Sequence, residues 1–318
     1  MMSKKVLILS NKSDAHTDSV VFQLTDMGME VIRINTEDFR SNIINIPLTS
    51  DFWSIVTPEG RIIDPREIFS VYLRRISPVL VDDVAQDFRK FTSNETSVVI
   101  EALPGLLPTA KWMDYPHVRK IADNKLFQLK LARSLGLSVP ETLVTNDYAS
   151  LLMFAAGRRI IYKTLYIPIL DLDDRGVSVI NTTLLTDQYM KQLEVSLRLC
   201  PSLFQVYIEK EYELRIHIVG NDILAVSIDS QSVSGAEIDW RTADFDALPY
   251  EPVKLPTYVY DKIVSFTRSL GLNFGIIDMI VTPDGQYVFL EINPNGNWLW
   301  IERAIGLDVS GRIARWLS

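Results

Sequence analysis

Four consecutive apolar residues, Val6-Leu7-Ile8-Leu9, constrain this chain more than any other feature. A strand that is apolar at every position is buried on both faces, the condition of a parallel sheet with packing layers above and below. Val20, Val21, Leu24 and Met27 then fall at helical spacing, Gly28 ends the helix, and Val31, Ile32 and Ile34 supply a second strand over 30–35. The opening therefore reads as a β-α-β unit of an α/β domain. Strand and helix are joined only by Ser10-Asn11-Lys12-Ser13, without G-x-G-x-x-G, so no dinucleotide fingerprint is assigned there.

A hairpin over 51–63 turns at Pro58-Glu59-Gly60, residues 71–75 form a strand ending in Arg74 and Arg75, and 83–103 reads as a helix. Pro104, Pro108 and Pro116 read as a linker. Beyond it come a helix over 120–135 closed by Gly136, an extended segment containing Thr142 to Thr145, and a strand over 159–164 bearing Lys163. The stretch 166–176, with Asp171, Asp173 and Asp174, reads as a mobile loop, and 184–199 as a helix. From Phe204 onward strands dominate, with helices over 257–270 and 309–317. This places a boundary near residue 115, closing an N-terminal α/β domain over 1–115.

A length of 318 residues with 47% hydrophobic content suffices for a large core and excludes extended disorder. The formal charge of −8 argues against a general polyanion binder, since nonspecific nucleic-acid affinity comes from clustered Lys and Arg. A single cysteine, Cys200, excludes an internal disulfide framework and a multi-cysteine zinc site, and fits a reducing compartment. No stretch approaches the ~20 apolar residues that cross a bilayer, so neither a signal peptide nor a membrane span is read, and a cytoplasmic location is the expectation.

The most informative segment runs from Phe274 to Val281, turns at Pro283-Asp284-Gly285, and returns through Tyr287 to Glu291-Ile292-Asn293. An acid inside an apolar strand is costly to bury uncompensated, and side chains two apart on a strand share a face. Glu291 and Asn293 therefore point together, and Asp278 faces them across the hairpin. Two carboxylates and an amide oxygen form an all-oxygen cradle suited to Mg²⁺, which takes its other ligands from water and phosphate. The bland alternative is that Asp278 pairs with an arginine and Glu291 and Asn293 only make a turn. Residues 213–219 alternate, placing Glu213, Arg215 and His217 on a polar face and Leu214, Ile216 and Ile218 on the core face. The three histidines, His16, His117 and His217, have no zinc-site spacing, and His217 is read as a non-ligand.

Taken in order, Lys125 on a helix, Lys163 on a strand, Gln205-Val206-Tyr207-Ile208, Glu213-Leu214-Arg215, and Asp278 with Glu291-x-Asn293 resemble the ATP-grasp pattern. Tyr72-Leu73-Arg74-Arg75, Asp239-Trp240-Arg241 and the run from Asn293 to Glu302 resemble the branch that macrocyclises ribosomal peptides, the microviridin or graspetide ligases. The resemblance implies two α+β subdomains gripping ATP, over 116–205 and 206–318, behind a pre-ATP-grasp domain. It implies Lys125 and Lys163 on the phosphates, backbone groups of Val206 and Ile208 within 205–208 on adenine, and Glu213 on the ribose. Arg215 and Arg241 would lie near the transferred phosphate, and Asp278, Glu291 and Asn293 would hold Mg²⁺.

The implied reaction phosphorylates an Asp or Glu side chain of a precursor peptide with ATP, after which a Lys, Ser or Thr of the same peptide closes an amide or ester ring. The resemblance also implies docking through the peptide's leader, and a homodimer. Arg74, Arg75, Arg215 and Arg241 are candidates to attract the acidic peptide, Arg74 and Arg75 equally for interdomain ion pairs. Competing readings are a RimK-like ligase that adds a free amino acid, and a catalytically silent ATP-grasp-like protein that binds a peptide. Two departures stand out: 166–176 is acidic rather than glycine-rich, and Val206 stands where Glu is common.

Overall fold

A computed structural model of the chain describes residues 5–50, 52–166, 168–171 and 176–318. The N-terminal part contains β1 (Lys5–Ser10), α1 (Ala15–Asp26), β2 (Glu30–Asn35), β3 (Ile43–Asn45), β4 (Ser54–Val56), β5 (Ile62–Ile63), β6 (Ile68–Leu73), α2 (Gln86–Leu106) and β7 (Lys111–Trp112). Then follow α3 (Pro116–Ala122), α4 (Lys125–Ser134), β8 (Thr142–Thr145), α5 (Tyr148–Ala155), β9 (Ile160–Lys163), β10 (Ile169–Asp171), β11 (Val177–Val179), β12 (Thr183–Leu184), α6 (Asp187–Ser196) and β13 (Ser202–Val206). The chain closes with β14 (Tyr212–Val219), β15 (Asp222–Ile228), β16 (Tyr250–Val253), α7 (Thr257–Leu270), β17 (Phe274–Val281), β18 (Tyr287–Asn293), α8 (Leu299–Ile305) and α9 (Val309–Leu317).

The first sheet, β2-β1-β6-β7, is parallel. The alternation along β1 explains its unbroken apolar run: Leu7 and Leu9 pack with Trp53, Ile100 and Leu103, whereas Val6 and Ile8 pack on the opposite face with Val20, Leu24, Trp298 and Ile313. That second core joins the N-terminal sheet to the C-terminal helix α9. Beside the smaller antiparallel sheets β3-β4-β5 and β10-β11, the described residues form two larger ones, β12-β9-β13-β8 and β16-β15-β14-β17-β18. α7 seals the larger one because Val259, Ile263, Phe266 and Leu270 recur at helical spacing and are buried, and Gly271, at φ 73°, ends the helix in the left-handed conformation that glycine adopts without strain. Among the described residues no helix is long and apolar enough to cross a membrane.

Several expectations are corrected. The helix expected over 120–135 is two, because Asn124 caps the second: its side chain accepts from the Phe127 N–H at 3.0 Å, ending one run and starting another. The helix expected over 83–103 begins at Gln86 and carries Pro104 within its final turn. The proline-rich stretch is more than a linker, since β7 adds a strand beside β6 with Trp112 buried, and Pro116 opens α3. The strand expected over 71–75 ends at Leu73, and the helix expected over 184–199 spans Asp187–Ser196. Within 166–176, Ile169–Asp171 pairs with Val177–Val179, while Asp173 and Asp174 lie outside the described residues. The polar face expected on β14 is buried: Glu213, Arg215 and His217 are all withdrawn from solvent, and burial lowers the His217 imidazole to about 3, leaving it neutral.

Candidate active site

Strand pairing builds the site. Arg215 on β14 stands opposite Asp278 on β17, and Asp278 stands opposite Glu291 on β18, so three neighbouring strands present Arg, Asp and Glu in one row. Leu290 is left over at the bulge that shifts the β17–β18 register after Asp278. The row is closed beyond the sheet edge by Lys125, the first residue of α4, whose ammonium lies 3.2 Å from Glu291. At the other end Arg215 donates to both Asp278 oxygens, at 2.8 and 3.1 Å, and to the Asn297 carbonyl at 2.9 Å. The result is a row of charges in the order plus, minus, minus, plus.

The two carboxyls respond differently. Burial is the largest influence on Asp278 and raises it, and the neighbouring Glu291 adds to this, so Arg215 only partly offsets the rise. Burial also pushes Glu291 up, but Lys125, Lys163 and Arg241 outweigh it and hold Glu291 low. Asn293 shares the face of Glu291 two residues on; its side-chain oxygen accepts from the Asn295 N–H at 2.9 Å. Among the described residues no cluster of three or more His, Cys, Asp or Glu is placed to hold a metal. Two carboxylates and an amide therefore remain, an oxygen set that fits Mg²⁺ provided phosphate and water complete its octahedron.

Lys163, at the end of β9, lines the same space, and burial lowers its ammonium. Arg241 grips Asp239 through two bonds of 2.8 Å, and Asp239 also accepts from the Thr182 N–H at 3.0 Å. The pair holds Asp239 far below the usual carboxylate range and Arg241 above its own, despite burial. A cavity of about 570 Å³ is lined by Arg75, Arg119, Lys120, Lys125, Lys163 and Arg241 against the acids Asp123 and Glu291. It shares Lys163, Thr182, Arg241 and Glu291 with a narrow slot of about 50 Å³ between Ile161, Ile208, Ile280 and Leu290.

The slot also takes in Tyr207 and Glu213, but neither Gln205 nor Val206 lines it. Gln205 donates to the Thr142 hydroxyl at 3.0 Å, and the Val206 N–H is spent on the Glu141 carbonyl at 3.0 Å. The backbone expectation for Val206 is thereby narrowed to its carbonyl. Sequence reasoning missed Lys210, buried and bonded to Glu213, whose second oxygen has no hydrogen-bond partner among the described residues. The spacing Lys210-x-x-Glu213 was its signal.

Arg74 is corrected as a candidate to attract a peptide. Only 2% exposed, it donates to Asn295 at 2.8 Å and the Gly296 carbonyl at 2.9 Å, lies 3.5 Å from Asp14, and stacks on Trp298 at 4.3 Å. It thus clamps the loop after Asn293 to the N-terminal sheet. Gly296 suits this close approach, since a Cβ there would sit 2.8 Å from the Ile276 side chain. Arg75, exposed, donates to Asn297 at 2.7 Å.

Residues 5–120 match the family model described as the MvdD pre-ATP grasp domain. The fold is similar to that of the macrocyclase MdnC of Microcystis aeruginosa MRC, solved with precursor peptide MdnA, at 31% identity and TM-score 0.85, covering 98% of both chains. It is also similar to a RiPP-associated ATP-grasp ligase of Chryseobacterium gregarium in complex with ADP and a leader and core peptide, at 28% identity and TM-score 0.90, covering 99% of this chain and 96% of that one. N-acetylaspartylglutamate synthase A of Homo sapiens is 30% identical over 118 residues, 36% of this chain and 29% of that protein. The match thus spans under a third of that curated relative's length.

Proposed function

We propose, for a chain that belongs to the graspetide family of ATP-grasp ligases, that it activates acidic side chains of a ribosomal precursor peptide with ATP and closes them into ester or amide rings. The observation that carries this reading is the row Arg215, Asp278, Glu291 and Lys125, in which the cations that would meet phosphates neutralise the carboxylates that would hold a divalent ion. Mg²⁺ and a triphosphate would redistribute these pairings, and the negative charge that one Mg²⁺ leaves on a triphosphate would be met by Lys163, which lines the same space.

In this reading the slot between Ile161, Ile208, Ile280 and Leu290 takes the adenine face, the Ile208 N–H reads its edge, the Val206 carbonyl contributes only if the base reaches past the slot toward Gln205, and Glu213 accepts from the ribose. Lys125 and Lys163 face the phosphates, and Asp278, Glu291 and Asn293 hold Mg²⁺, which when bound would screen the charge of the transferring phosphoryl group. Arg215 and Arg241 draw the peptide carboxylate toward that group. A carboxylate oxygen bonds to the γ-phosphorus and ADP leaves; the amine or hydroxyl then attacks the acyl carbon, loses its proton, and expels phosphate. Arg75 and Lys120 at the rim of the cavity favour an acidic peptide on a protein whose net charge is −8. The microviridin type of peptide, a homodimer, a cytoplasmic setting and the division into 1–115, 116–205 and 206–318 belong to the same proposal.

Incubation with ATP, Mg²⁺ and the precursor peptide tests it by mass spectrometry: each ring removes one water. A gain of one residue mass instead indicates ligation of a free amino acid, and the absence of phosphate release with any peptide indicates a silent binding protein.

A further inference from the structure

Gln128 lies one helical turn beyond Lys125 on α4 and is 1% exposed. Its Oε1 accepts from the Ile292 N–H at 3.0 Å, and its Nε2 donates to the Ile292 carbonyl at 2.9 Å and the Ala122 carbonyl at 2.6 Å. Among the described residues β18 is the edge strand of its sheet, its outer side met only by an isolated bridge from Ser138 to Val288, so the outer backbone groups of Ile292 have no strand to pair with. At Ile292 the glutamine amide takes the place of that strand, matching one donor and one acceptor to a single residue's backbone.

Ile292 separates Glu291 from Asn293, and the bulge at Leu290 leaves this end of β18 out of step with the rest of the strand. Sealing the edge does not by itself require a side chain: at Phe289 the N–H is satisfied by the Ser138 carbonyl at 2.8 Å. An amide reaching out from the helix turn that begins with Lys125 does more, because it ties the lysine and both flanking oxygen ligands to one element.

We propose that Gln128 is a positioning residue that holds Glu291 and Asn293 in register with Lys125, so that divalent cation and phosphate are gripped together. This rests on the metal assignment above. The test replaces Gln128 by Met, which fills the space without hydrogen bonds, and by Asn, which keeps the amide but is one methylene too short to reach Ile292. ADP binding is measured by calorimetry with and without Mg²⁺, and Mn²⁺ uptake by the ADP complex is followed by electron paramagnetic resonance. Both variants are expected to bind ADP alone as the wild type does, while the affinity for cation in the ADP complex falls about tenfold or more. Equal losses with and without cation, or cation affinity within about twofold of wild type, overturn the assignment of Gln128. If the wild-type protein itself takes up no cation with ADP, the functional reading falls, and this inference with it.

Discussion

Asp278 stands between a cation and an anion in its row, so removing its charge while keeping its shape disturbs both neighbours. Asp278→Asn leaves the buried Arg215 without its carboxylate and removes one candidate cation ligand. Phosphate release and peptide dehydration are expected to fall roughly 100-fold, measured with saturating ATP. A silent peptide-binding protein would instead be indifferent to the change. The acid was legible in the sequence because an ionisable residue inside an apolar strand needs a reason, and strand periodicity put Glu291 and Asn293 on one face. Gln128 was not legible, because its partners, the backbone of Ile292 and Ala122, are brought in by folding, whereas Lys210 left a trace in its spacing from Glu213.

At the scale of elements, the break between α3 and α4 decides where Lys125 is presented. Asn124→Ala removes the side-chain acceptor for the Phe127 N–H and is expected to cost about 1 kcal/mol of stability, read from urea unfolding. The start of β17 is held by Asp114, a buried carboxyl that accepts from the Asn273 and Phe274 N–H groups and adopts φ 67°. Burial pushes it up from 3.8 to about 6, more than its backbone hydrogen bonds and Arg119 can offset. A carboxyl raised in the folded state binds its proton more tightly there, so the associated stability is fully present below 3.8 and is lost as pH rises through about 6. Relative to Asp114→Asn, whose side chain tolerates the left-handed backbone, the wild type is expected to lose up to about 3 kcal/mol across that window and to change little above roughly pH 7. Thermal unfolding of both proteins at several pH values checks this.

Across the whole molecule, Arg74 ties the N-terminal sheet to the loop that follows the candidate ligands. Arg74→Ala would leave Asp14 buried without its cation, strip Trp298 of its stacked guanidinium, and free Asn295 and Gly296. A loss of about 3 kcal/mol or more in chemical denaturation is expected, accompanied by weaker ADP binding in the presence of Mg²⁺. The sequence by itself determined the parallel opening sheet, the hairpin of Asp278 and Glu291, and the terminal helix, because hydrophobic periodicity and turn residues act over a few neighbouring positions. Only the tertiary structure decided that Arg74 is a buried clamp rather than a surface cation, that His217 is neutral in a core, and that Val206 has already spent its N–H. Desolvation and hydrogen-bond pairing depend on which distant segments arrive beside a residue, and local spacing carries no record of them.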